Sequence, residues 1–290
     1  MKVVLFCGGQ GIRMREFSET IPKPMVNIGY RPILWHVMKY YAHYGHKDFI
    51  LCLGHGADFI KNYFLNYNEC ISNDFVLSGG GKKLQLFNSD IDDWNITFAD
   101  TGVSSNIGQR LGAVKKYLDG EEIFLANYSD GLTDLPLDLQ MDHLKREGKV
   151  GSFACVRPNL SFHFVTLNAG GIVASIKDVN RSDIRINGGY FVFRKEIFEY
   201  MKDGEELVCE PFQRLVARGE LLAFKYDGFW AAMDTFKDKQ ILDDIYARGR
   251  APWQVWNHSG QPLSTMVNKP AIAAGISSKP AEAAITVDIR

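Results

Sequence analysis

Apolar positions along the first half of the chain fall into two alternating rhythms. Val3-Val4-Leu5-Phe6-Cys7 is an unbroken apolar run and reads as a strand over 2–7, buried on both faces. Pro32 then opens a helix in which Ile33, Leu34, Val37, Met38 and Tyr41 recur at helical spacing. The pattern predicts a buried strand at 48–53, a helix at 56–67, a strand at 95–99, a helix at 106–118 and an apolar strand at 122–127. Strand and helix in regular alternation predict an α/β fold on a mainly parallel central sheet.

Between 150 and 193 the rhythm changes. Short β-rich runs at 150–156, 163–167, 172–176 and 189–193 predict a smaller β-rich lid or second sheet. Helices resume at 195–201, 210–218 and 236–248. From Asn257 onward there is no aromatic residue, and Ala, Ser, Gly and Pro dominate. Two segments are therefore expected: a folded domain over 1–257, and a low-complexity tail over 258–290 that cannot bury enough surface to fold by itself.

Composition narrows the partners. The chain has 290 residues, and its apolar share of 46% is ample for a packed core. A net charge of −1 gives no electrostatic footprint for nucleic acid or an anionic membrane. The five cysteines (7, 52, 70, 155, 209) are scattered and form no CxxC, which argues against a disulfide framework or a zinc site. The N-terminus enters a strand directly, without a signal peptide, and no apolar run is long enough to span a bilayer. A cytoplasmic protein is the expectation. Self-association into a homo-oligomer is left open.

The first strand ends in Gly8-Gly9-Gln10-Gly11-Ile12-Arg13, and Pro22-Lys23-Pro24-Met25 follows shortly after. A glycine loop at a strand end lets backbone N–H groups approach an anion closely, because no Cβ intrudes. Arg13 and Lys23 add fixed positive charge, and the two prolines restrict the backbone around Lys23. The combination suits a polyphosphate. No P-loop string occurs, and Met14 stands where a dinucleotide fingerprint needs its third glycine. The bland alternative is a glycine turn with incidental charges.

Gly8-Gly9-x-Gly11-x-Arg13 with Pro22-Lys23-Pro24-Met25 resembles the signature of the sugar nucleotidyltransferases, and most closely their CTP-dependent branch. The resemblance extends over about 1–257. It takes in Arg31-Pro32-Ile33-Leu34-Trp35-His36, Asp100-Thr101-Gly102, Tyr128-Ser129-Asp130-Gly131, Ile186-Asn187-Gly188-Gly189, Gly228-Phe229-Trp230, Met233-Asp234-Thr235 and Ala251-Pro252-Trp253. It implies a Rossmann-like sheet with the β-rich lid over an acceptor site. It also implies transfer of CMP from CTP to a phosphorylated acceptor, with release of pyrophosphate.

Such a transfer needs an aligned triphosphate and neutralised charge, and no covalent nucleophile. Gly8, Gly9, Gly11 and Arg13 would wrap the donor phosphates, with Arg13 on the leaving pyrophosphate; Lys23 would bridge the α-phosphate and the incoming acceptor oxygen. Asp130 follows the strand at 122–127, where α/β enzymes place ligands, although an Asp-Gly turn is its plain alternative. The resemblance brings Asp234 opposite it; the alternative there is an N-cap of the helix beginning near Phe236. Together the two carboxylates would hold Mg²⁺. Thr101 and Gly102 would offer a hydroxyl and a close backbone approach beside cytosine. Arg110 resembles a nucleotide-side arginine, with a helix-surface arginine as the alternative. Ile12 replaces a threonine common in the family.

The acceptor half departs from the family. Relatives carry Glu-Lys-Pro before Asn-Gly-Gly, and that lysine grips the sugar phosphate. Here the aligned stretch is Ser175-Ile176-Lys177-Asp178-Val179-Asn180, with Val179 in the lysine's place. A valine cannot bind phosphate. Arg157, His163, Arg181 and Arg185 are new cations nearby, and arginine pairs can grip an anion bidentately. Asn187, Gly188 and Glu210 remain to line the pocket, with Arg157 and Arg185 as added acceptor-binding residues. The expected acceptor is a small charged phosphorylated metabolite. The resemblance extends to a branch whose acceptor is L-glutamine phosphate, serving phosphoramidate decoration of bacterial capsules. Two readings stay open beside it: an orthodox sugar 1-phosphate acceptor, and a non-catalytic nucleotide-binding regulatory subunit.

Overall fold

The computed structural model describes residues 1–9, 21–158, 162–179 and 182–258. Gly11, Ile12, Arg13, Arg181 and the 259–290 part of the tail lie outside the described residues. Met1–Asn257 is one compact unit.

Its frame is an eight-stranded sheet of mixed direction. Four strands run parallel side by side: β7 (Asn95–Asp100), β4 (Asp48–Leu53), β1 (Lys2–Phe6) and β8 (Ile123–Tyr128). Beyond β8 come β14 (Phe191–Arg194) and β10 (Gly151–Val156), each antiparallel to its neighbour; β10 also pairs β13 (Ile186–Asn187) antiparallel and β15 (Leu221–Tyr226) parallel. Alternation along β1 explains why both faces are covered. Val3 and Leu5 enter one core with helix α1 (Ile33–His43), whereas Val4 and Phe6 enter another with helices α3 (Ile107–Val114) and α5 (Glu210–Ala217). Helices on both faces of a largely parallel sheet are the doubly covered architecture that the alternating pattern predicts.

The β-rich region divides differently from the expectation of a separate layer. β10 and β14 are predominantly buried and belong to the central sheet. What stands apart is the hairpin of β11 (His163–Leu167) and β12 (Val173–Asp178), largely exposed along both strands. A second exposed hairpin, β5 (Phe75–Ser78) with β6 (Lys83–Leu86), leaves the chain after helix α2 (Ala57–Leu65), and a short antiparallel pair, β2 (Asn27–Ile28) with β3 (Arg31–Pro32), leads into α1. Helix α4 (Leu137–Glu147) has no counterpart in the sequence reading: its buried apolar side is only Leu137, Met141 and Leu144, a stripe too narrow to stand out. The predicted helix at 195–201 is a 3₁₀ turn, Lys195–Glu199, while the helix at 236–248 forms as α6 (Phe236–Ala247).

Candidate active site

Because β7, β4, β1 and β8 are parallel, their C-terminal ends share one edge of the sheet. That edge carries Gly8, Leu53, Thr101 and Asp130. Ligands of open α/β sheets bind there.

Arg110 ties three of these strand ends together. It leaves α3 inward, 2% exposed, so it is not a helix-surface arginine. Its guanidinium donates to Leu53 O at 3.2 Å, Thr101 Oγ1 at 2.8 Å, Gly8 O at 2.9 Å and Val103 O at 3.4 Å. A Cβ on Gly8 would lie 2.1 Å from that guanidinium, so any side chain there would have to displace Arg110. Thr101 in turn donates its hydroxyl to Leu53 O at 2.7 Å. Both groups thus brace the frame of the loop, and the Thr101 hydroxyl that the sequence reading offers to the base here donates to Leu53 O and accepts from Arg110. Gly102 lies beyond Thr101 with φ of 89°, its N–H held by Asp100 at 3.0 Å. Gly9 is exposed, and a Cβ there would meet no described atom within 4 Å. Cys7, beside the loop, is buried, and burial pushes its thiol up to about 12.

The centre of the edge is a three-residue cluster. Lys23 opens a 3₁₀ turn, Lys23–Met25, behind extended Pro22 and before buried Pro24. Its ammonium donates to Asp130 Oδ2 at 2.6 Å and to Asp234 Oδ1 at 2.8 Å. Burial pulls the Lys23 pKa down, but Asp130 and Asp234 outweigh it, so the group titrates above its ordinary value.

A small ladder explains why two aspartates so distant in sequence face each other. β16 (Trp230–Ala232) pairs antiparallel with β9 (Gly131–Thr133), aligning Ala232 with Gly131. The ladder is prolonged by Met233 N–H donating to Asp130 O at 2.9 Å. Asp130 does sit in a turn, as its sequence allows, but its carboxylate is committed to Lys23. Asp234 is not the N-cap of α6. Thr235 caps it in a box with Asp238, and Asp238 Oδ2 also accepts the Asp234 N–H at 3.1 Å.

Two carboxylate oxygens converging on one cation are a fit for Mg²⁺, with Lys23's ammonium as the stand-in ion. Among the described residues no group of three or more His, Cys, Asp and Glu side chains gathers to hold a metal. A metal here would complete its shell with water and substrate oxygens, which is how Mg²⁺ is commonly held.

The Asn187-Gly188-Gly189 turn lies against this cluster. Gly189 has φ of 73°, and its Cβ would meet Asn127 Oδ1 at 2.7 Å. Asn187 Oδ1 accepts the Gly189 N–H at 2.9 Å, and Trp230 Nε1 donates to Gly188 O at 2.9 Å. Tyr190 follows, buried, and donates its hydroxyl to Gly131 O at 2.9 Å. The turn is therefore pinned to both strands of the β9–β16 ladder. Tyr128, which accepts from Asn187 Nδ2 at 3.5 Å, feels the charges of Glu206 and Asp130.

Beyond the turn, Arg157 and Arg185 meet on Asp227. Arg157 Nε lies 2.9 Å and Arg185 Nη2 2.6 Å from the same Oδ1. Arg185 also donates to Cys155 O at 3.1 Å and Tyr226 O at 3.2 Å. The two guanidiniums hold the Asp227 carboxyl below the usual carboxylate range. Asp134 fixes this loop by accepting the Tyr226 hydroxyl and the Phe229 N–H, the latter at 2.8 Å. Val179 is buried, its N–H donating to Phe162 O at 3.0 Å. Glu210 is exposed at the first position of α5, and no described hydrogen bond joins it to the arginines or to Asn187. Sequence reading missed Tyr128, Asp227 and Trp230. Asp227 carried a usable signal, since it directly precedes the Gly228-Phe229-Trp230 string.

A glycine at the strand edge, a fixed lysine and paired carboxylates are what a nucleotide-transferring enzyme requires, and the chain belongs to the nucleotidyl transferase family, whose model matches residues 2–243. Within it, the chain is 37% identical over 257 residues to the glucose-1-phosphate cytidylyltransferase of Salmonella typhimurium, covering 88% of this chain and all of that one. Similarity to the mannose-1-phosphate guanyltransferase of Saccharomyces cerevisiae is 24% over 254 residues, with 83% of this chain and 63% of that one covered. The fold matches a UDP-glucose pyrophosphorylase solved with UDP-glucose at a TM-score of 0.62 and 16% identity, over 86% of this chain and 99% of that one. No helix among the described residues is long and apolar enough to cross a membrane.

Proposed function

We propose that the chain transfers CMP from CTP to a small phosphorylated acceptor, and that residues 1–257 are the domain that does so. An acceptor phosphate oxygen attacks the α-phosphorus of CTP; the bond from that phosphorus to the bridging oxygen breaks, and pyrophosphate leaves. The observation that carries the reading is Lys23 held between Asp130 and Asp234 at the sheet edge that also bears Gly8. Lys23 orients the α-phosphate and the incoming oxygen. Gly8 and Gly9, with Gly11 and Arg13, receive the donor phosphates. Arg110 and Thr101 keep that loop in place, and Gly102 gives the base a close backbone approach. When bound through Asp130 and Asp234, Mg²⁺ neutralises charge on the phosphates.

The acceptor we propose is L-glutamine phosphate, for phosphoramidate modification of capsular polysaccharide. Two observations support an acceptor with a second anionic group. A buried valine stands in place of a phosphate-gripping lysine, and two arginines share one aspartate beside Asn187 and Gly188. Glu210 would meet the acceptor's amino group. Glucose 1-phosphate is the second reading, favoured by the full-length similarity to a glucose-1-phosphate cytidylyltransferase.

The test is pyrophosphate release from CTP and Mg²⁺ with a panel of phosphorylated acceptors. The expected result is turnover with L-glutamine phosphate and little with glucose 1-phosphate. CDP-glucose formation at an ordinary rate would overturn the proposed acceptor. CTP binding without any turnover would favour a regulatory subunit.

A further inference from the structure

Lys23 occupies the position that a metal would need. Its ammonium lies 2.6 Å from Asp130 Oδ2 and 2.8 Å from Asp234 Oδ1. A Mg²⁺ ion held by those same two oxygens, at the roughly 2.0–2.1 Å such ions take, would need the space the ammonium fills. Sterics and like charge both forbid the two cations from sharing it. We infer that Lys23 and the divalent cation exclude one another on the Asp130–Asp234 pair, so that the free enzyme is held shut against metal by its own catalytic lysine.

The local construction favours such an exchange. Pro22 and Pro24 fix the backbone on either side of Lys23, so the anchor point stays put while the flexible four-carbon stem swings. The Asp130 and Asp234 side chains keep 25% and 45% of their surface open, which lets a hydrated ion approach. The lysine also relieves the mutual repulsion of two carboxylates that the β9–β16 ladder forces to face each other.

The consequence is coupling. An incoming triphosphate offers the ammonium a new set of anionic oxygens, and the metal then takes the vacated carboxylates. Nucleotide and metal therefore help each other bind, and by linkage each strengthens the other equally. The free enzyme binds metal poorly and does not hold an idle metal site open to water. This inference rests on Asp130 and Asp234 being the metal ligands of the proposed reaction.

The experiment is calorimetric titration of Mn²⁺ into the full chain without nucleotide, alongside Lys23→Met, Lys23→Arg and the double variant Lys23→Met/Asp130→Asn. Circular dichroism melts establish that each variant is folded. Lys23→Met is expected to tighten Mn²⁺ binding about tenfold or more, Lys23→Arg to stay near wild type, and the double variant to lose the gain. Equal affinity in wild type and Lys23→Met, including undetectable binding in both, overturns the inference. So does a gain that survives Asp130→Asn. CTP turnover is not the readout, so an inactive wild type with a tightened Lys23→Met variant would sink the proposed function and leave the cation exchange standing.

Discussion

The two charged clusters of this molecule are built in opposite proportions. In the one proposed to meet the donor, one lysine lies between two aspartates. In the other, two arginines lie on one aspartate. Among the described residues, the first sets two carboxylates on one ammonium and the second sets two guanidiniums on one carboxylate. Both are held by short loops whose backbone is pinned elsewhere, the first by the β9–β16 ladder and the second by Asp134. A charged residue on its own says little. The sign that predominates around it sets its field.

The largest break in this contrast is expected from Lys23→Ala. It removes the cation from the donor cluster and should lower kcat for CTP-dependent pyrophosphate release by about a thousandfold, with the fold intact. A loss under about threefold would mean that Lys23 is a structural ion pair only.

The arginine cluster, proposed to meet the acceptor, should respond in KM. Arg185→Ala is expected to raise the acceptor's KM by about tenfold or more while the KM for CTP stays put. Arg157→Ala should do less, because Arg157 is 46% exposed against 14% for Arg185. A change in the CTP constant instead would place the pair on the donor side.

Arg110→Met tests whether the loop frame is separable from the clusters. Gly8 O, Leu53 O and the Thr101 hydroxyl would each lose a partner. Chemical denaturation should register a loss of about 2–4 kcal/mol, and the KM for CTP should rise through the misplaced loop.

The smallest effect is a pH control that touches neither cluster. His36 is buried on α1, bonded through Nε2 to Ile28 O at 2.9 Å, and burial lowers its pKa to about 4. Between the ordinary value of 6.5 and about 4, the unfolded chain gains a proton there that the folded chain refuses. Stability should therefore fall as pH drops through that window, with a flatter slope in His36→Gln by denaturant midpoint. Asp227, held below the usual carboxylate range, keeps its charge through most of the same window. Early acid loss of activity should track unfolding more than discharge of the arginine cluster.

Much of the fold is legible from pattern. β1, β4 and β8 are largely apolar runs because they are covered on both faces, whereas edge strand β7 mixes polar and apolar residues; α1 repeats apolar residues at helical spacing because one side packs on the sheet. Pattern fails where burial is shallow: α4 has a thin apolar stripe, and the β5–β6 hairpin is exposed, so neither imposes a period. The site is legible where chemistry is local. Pro22-Lys23-Pro24 announces a held lysine, and Gly8 a close approach.

By itself, then, the sequence determined the strand–helix alternation, the strand-edge glycine and the rigid mounting of Lys23, because each depends on neighbours a few residues away. Only the tertiary structure decided what these side chains face. Asp234 lies 211 positions from Lys23 and reaches it through a ladder between two three-residue strands. Arg110 could have pointed to water, and packing turned it inward onto three strand ends. Arg157 and Arg185 could have stood apart, and a turn 42 residues beyond Arg185 brought Asp227 between them. Electrostatic partnership is set by distance in space, and the chain's spacing does not encode that distance.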